Sequence, residues 1–143
     1  MFADSFLALE RAHLVRLAVW GGASLFVGLV LLLLARRPVR SPLLFHFGLQ
    51  TALWGAIDLA FVVAGWQGLA LRDLQGAARV ERLLWLNLGL DVGYVGIGAT
   101  IAIAAWILGR RLGGVGAGIA IVVQGLALFL LDARFLTLIH SFV

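Results

Sequence analysis

The chain has 143 residues, 63% apolar and only 13% charged, with a mean hydropathy of +1.08. Soluble domains are about 45–50% apolar and about 25% charged, so ordinary soluble, disordered and fibrous classes are excluded. No cysteine is present, which removes disulfides, thiolate metal sites and cysteine nucleophiles, and the net charge of +4 comes from arginines alone.

Uncharged stretches divide the chain into four spans. A bilayer core needs about 20 apolar residues per helix. The first stretch, 17–35, is bounded by Arg16 and Arg36 and contains Leu31–Leu34. From Ser41 to Leu71 the only charge is Asp58, and from Leu83 to Gly109 the only charge is Asp91. Leu112 to Leu131 is uncharged and is followed by Asp132 and Arg134. Helices are therefore predicted at about 12–35, 43–66, 83–108 and 115–139. They make an all-α, four-helix transmembrane bundle of two parallel hairpins in a single domain.

The residues ahead of the first span lack a basic leader and a convincing small-residue cleavage site. They are expected to extend helix 1, with Asp4 or Ser5 as its cap. Arg36-Arg37-Pro38-Val39-Arg40-Ser41-Pro42 joins the first pair of helices, and its prolines suit a stop and a restart. The middle connector, 67–82, carries Arg72, Asp73, Arg79, Glu81 and Arg82 among spaced leucines and is expected to form a short interfacial helix. Gly109-Arg110-Arg111-Leu112-Gly113-Gly114 joins the second pair. The two short connectors hold five arginines and the opposite side six, so the positive-inside rule does not fix the orientation. Their compactness and lack of acid favour a cytoplasmic position, with both termini outside. Arginines scattered at span ends suit topology and not nucleic-acid binding.

A shift of 74 residues superposes Arg36-Arg37 on Arg110-Arg111, Gln50 on Gln124, Asp58 on Asp132 and Phe61 on Phe135. The register implies two tandem helical hairpins and places Asp58 and Asp132 at one depth, with Asp91 close to it. Arg16 and Arg134 fall at the same level, so these five groups are expected to form one polar layer. Gln50 and Gln124, with Ser24 and Thr100, fall about 12 Å deeper. Intramembrane charges cost roughly 2.5–3.5 kcal/mol each on insertion scales, so they are expected to face inward and pair. One reading of the layer is a salt-bridged clasp, and the other is a site for a cation, a proton or a small polar ligand. On helix 3, Asn87, Asp91, Tyr94 and Gly98 share a face, and Gly89 and Gly93 form GxxxG beside it. That motif, the helix 2 ladder from Gly48 to Ala64 and the glycines of helix 4 are assigned to packing within the bundle, with homo-oligomerisation as the alternative.

These residues carry a resemblance. Phe45-His46 and Trp54-Gly55, then Asn87-Leu88-Gly89-Leu90-Asp91 with Tyr94, then Gly116, Gly118, Gln124-Gly125 and Asp132 are similar to small four-span bacterial membrane proteins grouped as a domain of unknown function. The resemblance covers about residues 45–132. An amide often stands in that pattern where this chain has Asp58. The resemblance implies a fold and a bacterial cytoplasmic membrane, and it implies no activity.

Other chemistry has no carrier. Only His13 and His140 could meet as haem ligands, and no nucleophile stands beside a base in any hydrolase motif. No catalytic residue, metal or cofactor is expected. The favoured function is a non-enzymatic accessory, scaffold or interaction subunit in the lipid bilayer. The alternative is a carrier or binding protein using the Asp and Gln layer. Gln50 and Gln124 are expected to bond across the axis with Ser24 and Thr100, closing the bundle with a plug.

Overall fold

The computed structural model describes residues 2–35 and 41–141. Arg36, Arg37 and Arg40 of the first connector lie outside the described residues. Four helices follow one another: α1 (Phe2–Ala35), α2 (Pro42–Gln67), α3 (Leu74–Ile107) and α4 (Leu112–His140). Among the described residues there is no strand, and all four helices are long and apolar enough to cross a bilayer.

At 1.5 Å per residue, α1 and α3, with 34 residues each, are about 51 Å long against a hydrocarbon core of about 30 Å. Both overhang at the end of the bundle that holds Phe2, Leu74 and His140, the terminal end. The expected spans 12–35 and 83–108 cover only the apolar part of these helices. No separate interfacial helix forms in 67–82. Asp73 caps α3 by accepting a hydrogen bond from the Gly76 N–H at 2.7 Å, and nothing interrupts the helix from there to the apolar span. Helix α1 likewise begins at Phe2, so Asp4 and Ser5 lie inside its first turns instead of capping it. At the connector end, Gly109 and Arg110 take positive φ angles of 113° and 52°, and the chain reverses into α4. The Arg110 guanidinium lies over the Trp106 ring, 5.2 Å from its centre.

Helix α1 packs on α2, α3 on α4, and α4 in turn on α2 and less extensively on α1. Helix α3 has no comparable packing on α1 or α2, which leaves the bundle open along that side. Two glycines set the closest approaches near the acidic residues. A Cβ at Gly21 would stand 2.9 Å from the Asp58 Cβ, and one at Gly125 would stand 2.8 Å from the Asp91 carbonyl oxygen. Either substituent would push a neighbouring helix away.

The large buried apolar side chains gather at the terminal end. Phe6, Ala77, Leu84, Leu88, Phe135, Leu136 and Ile139 form one cluster where the helices outrun the hydrocarbon. There, apolar surface must be hidden against protein, at about 1.5–3 kcal/mol per large side chain. Polar ties hold the same end: Arg72 Nε donates to both Glu10 oxygens at 2.9 and 3.0 Å, and His140 Nε2 lies 2.7 Å from Glu81 Oε1. Nearer the connectors the outer faces carry exposed side chains such as Val19, Phe26 and Leu33, which suit a lipid solvent.

Candidate functional site

The three intramembrane carboxylates come from three helices and converge. Asp58 on α2 is 2% exposed, Asp91 on α3 is 3% exposed and Asp132 on α4 is 7% exposed. All three line a cavity of about 270 Å³ on the open side of the bundle. His13 and Leu17 of α1 close one wall, Asn87 and Tyr94 of α3 another, and Trp54 and Phe61 of α2 a third. The Trp54 and Tyr94 rings meet edge to face with centres 4.9 Å apart, bridging α2 and α3 where their backbones do not pack.

Each carboxylate has a different set of partners. Gln124 on α4 donates from Nε2 to Asp58 Oδ2 at 2.6 Å and accepts from Trp20 Nε1 at 3.0 Å, which links α1, α4 and α2 in series. His13 Nε2 lies 3.3 Å from Asp132 Oδ1, and its ring stacks on Phe135 with centres 4.5 Å apart. Asn87 reaches the same carboxylate from α3. Asp91 differs, because its buried Oδ2 has no hydrogen-bond partner. Among the described residues no guanidinium lines the cavity.

The arginines correct the expected layer. Neither Arg16 nor Arg134 forms an ion pair with a carboxylate among the described residues. Both line a separate groove on the outer surface between α1 and α4. The cause is helical geometry: Arg134 follows Asp132 by two residues, which turns it about 200° around the axis. The predicted plug also fails. Gln124 is 3% exposed and fully engaged, whereas Gln50 is half-buried and makes no side-chain hydrogen bond among the described residues. Thr100 donates to the Gly96 carbonyl of its own helix at 2.8 Å. Ser24 is buried beside Gln124 in a smaller, largely apolar cavity of about 170 Å³. The Gln124–Asp58 bond therefore stands between two cavities instead of closing one axis.

Phe135 is 3% exposed and Phe61 is 64% exposed, so a second pair matched by the 74-residue register also occupies unlike environments. The Gly89 and Gly93 motif is not used within the chain, since a Cβ at either position would meet nothing within 4 Å. The helix 2 ladder buries Gly48 and Ala52 but turns outward at Ala56, Ala60 and Ala64. By contrast, Gly116 and Gly118 of α4 are buried against neighbouring backbone.

Sequence reasoning missed His13, Trp20 and Trp54 as members of the site. His13 was legible, since it lies one turn before Leu17, the α1 position level with Asp91 in the register.

Four helices long and apolar enough to cross a bilayer, packed beside an acidic cavity, are the architecture of a polytopic membrane protein. Residues 16–133 match the family described as a family of unknown function, DUF6992, and the chain belongs to it. No curated protein and no solved structure matches the chain.

Proposed function

We propose that the protein is a non-enzymatic binding protein or carrier for a small organic cation, seated in the cytoplasmic membrane of a bacterium. The unpartnered Asp91 Oδ2, buried on the wall of a cavity shared with two further carboxylates, carries this reading. Burying a carboxylate without a partner costs several kcal/mol in principle, and a cation in the cavity would offset that cost. Among the described residues no three His, Asp or Glu side chains are grouped closely enough to hold a metal ion, so the negative charge is spread around a space. An ammonium or guanidinium group with an apolar body fits such a space better than a point charge. Trp54 and Tyr94 add aromatic surface of the kind that receives organic cations. Covalent chemistry is not part of the proposal.

The test is calorimetric titration of the purified protein in mild detergent with methylammonium, guanidinium and tetramethylammonium, against sodium. Saturable binding of an organic cation that Asp91→Asn abolishes while the helical circular dichroism is unchanged would support the reading. Absence of saturable binding by every one of these cations would overturn it.

An interaction role has one observation of its own. The Gly89, Gly93 and Gly96 face of α3 is open in the chain, which suits a partner helix, including that of a second copy. Gly93→Leu should leave the melting temperature of the monomer in place while lowering the dimer fraction in crosslinking. An unchanged dimer fraction, or no dimer in the parent, would remove this second reading.

A further inference from the structure

On the outer surface, a groove of about 760 Å³ lies between α1 and α4. Its polar end is formed by Arg16, Arg134 and Thr137, and its apolar length by Val19, Ala23 and Leu130 among others. The two arginines are unpaired by any carboxylate among the described residues, and the buried Nη1 of Arg16 has no hydrogen-bond partner. A guanidinium presents donors in a planar fork suited to phosphate oxygens. Arg134 is exposed and Arg16 half-buried, and the two, at one level of the groove and without acid partners among the described residues, form a positive patch that the bundle itself does not neutralise.

The level of that patch decides what can reach it. Arg16 precedes the end of α1 at Ala35 by 19 residues, a rise of about 28 Å, close to the thickness of the hydrocarbon core. The arginines therefore stand at the headgroup boundary of the terminal side. From there the groove runs along α1 from Arg16 to Ala23, about 10 Å towards the bilayer centre, and is apolar over that length. The groove has the polarity of a lipid molecule, with its charged end at the interface and its apolar length among acyl chains.

We propose that the α1–α4 groove is a binding site for an anionic phospholipid, its phosphate held by Arg16 and Arg134 and one acyl chain laid along Val19 and Ala23. The helical spacing of the lining residues supports a single continuous face: 16, 19 and 23 on α1, and 127, 130, 134 and 137 on α4. The groove and the acidic cavity share no lining residue, so the lipid site does not rest on the cation reading, although His13 of the cavity wall stands within one turn of Arg16 on α1.

Delipidated protein in mild detergent is titrated with phosphatidylglycerol or with phosphatidylcholine of the same acyl chains, and binding is read by native mass spectrometry and thermal shift. Phosphatidylglycerol should bind one molecule per chain and raise the melting temperature, with phosphatidylcholine weaker by about tenfold or more. The R16Q/R134Q variant should erase that preference, because each arginine near an anionic headgroup accounts for a several-fold gain. Arg82→Gln, an exposed arginine of α3 outside the groove, should retain it. Equal affinity for the two lipids would overturn the site. So would a preference that survives R16Q/R134Q, or one that Arg82→Gln removes equally. Inorganic phosphate at the same concentration should give no shift; an equal shift would assign the arginines to a free anion and overturn the lipid. If R16Q/R134Q fails to fold, Arg134→Gln alone, at an exposed position, carries the same comparison.

Discussion

Replacing Gln124 by leucine separates the two halves of the 74-residue register most sharply. The change keeps side-chain volume roughly constant but removes the donation to Asp58 at 2.6 Å and the acceptance from Trp20 at 3.0 Å. Hydrogen bonds between membrane helices average about 0.6 kcal/mol and reach about 1.7, so two of them contribute roughly 1–3 kcal/mol. The orphaned Asp58 carboxylate, 2% exposed, adds about 1–3 kcal/mol for a buried acceptor left without its donor. Because the two ranges overlap in what they count, about 2–4 kcal/mol is expected. At about 3 °C per kcal/mol for a chain of this size, the melting temperature should fall by roughly 6–12 °C. Gln50→Leu is the matched control. It removes no side-chain hydrogen bond among the described residues and should stay within about 0.5 kcal/mol of the parent. Thermal unfolding followed by circular dichroism in one detergent measures both variants. Equal losses at the two positions, or no loss at Gln124, would refute the assignment of Gln124 as the tie between α1, α4 and α2.

Single cysteines placed by Ser41→Cys and Ser141→Cys should label from opposite faces of sealed vesicles; labelling from one face would break the four-span topology. Glu10→Ala and Arg72→Ala should each cost about 2 kcal/mol, and the double variant little more than the larger single, because the two side chains act as one unit. Additive losses in that cycle would mean that the pair is not coupled. Gly125→Ala should destabilise by about 1–3 kcal/mol, since its Cβ would meet the Asp91 carbonyl at 2.8 Å, whereas Gly89→Ala should be neutral or slightly stabilising in thermal unfolding. The reverse order would contradict the packing of α3 on α4.

The span count was legible because a bilayer imposes long uncharged runs, and those runs are bounded by arginines that cannot be hidden. The terminal-end extensions were less legible. Their charges suggested a break near residue 82, but charged residues end an apolar run without ending a helix, and Asp73 supplies a cap nine residues earlier. The convergence of Asp58, Asp91 and Asp132 followed from depth alone. Their partners did not, because depth ignores rotation about the helix axis. Arg134 shares the level of Asp132 yet faces the other way, and Gln50 shares the level of Gln124 yet is only half-buried. The register also assumed equal surroundings for equivalent residues. Helix α4 packs on α1 of the other hairpin, whereas the equivalent pair, α2 and α3, has no comparable packing, so the two hairpins are not interchangeable.

The separation of opposite charges at one level is the feature that demands a functional account. Three carboxylates and two guanidinium groups stand near one level of the bundle, and pairwise bridges would have neutralised most of them. The sequence instead sets the acids on the inner cavity and the arginines on the groove between α1 and α4. Such an arrangement is costly for stability alone, because an unpaired carboxylate oxygen at Asp91 and an unpaired nitrogen at Arg16 are both buried. Local rules of this kind are commonly broken where a ligand completes the set. Asp91 Oδ2 and Arg16 Nη1 have opposite signs and belong to residues lining different spaces, so one ligand cannot serve both, and the third unpartnered buried atom, His13 Nδ1, belongs to the wall of the acidic cavity. A cation inside and an anionic headgroup outside would satisfy each where it stands. Trp20 touches both sides of this division: it lines the outer groove and donates to Gln124, which in turn holds Asp58 at the cavity wall.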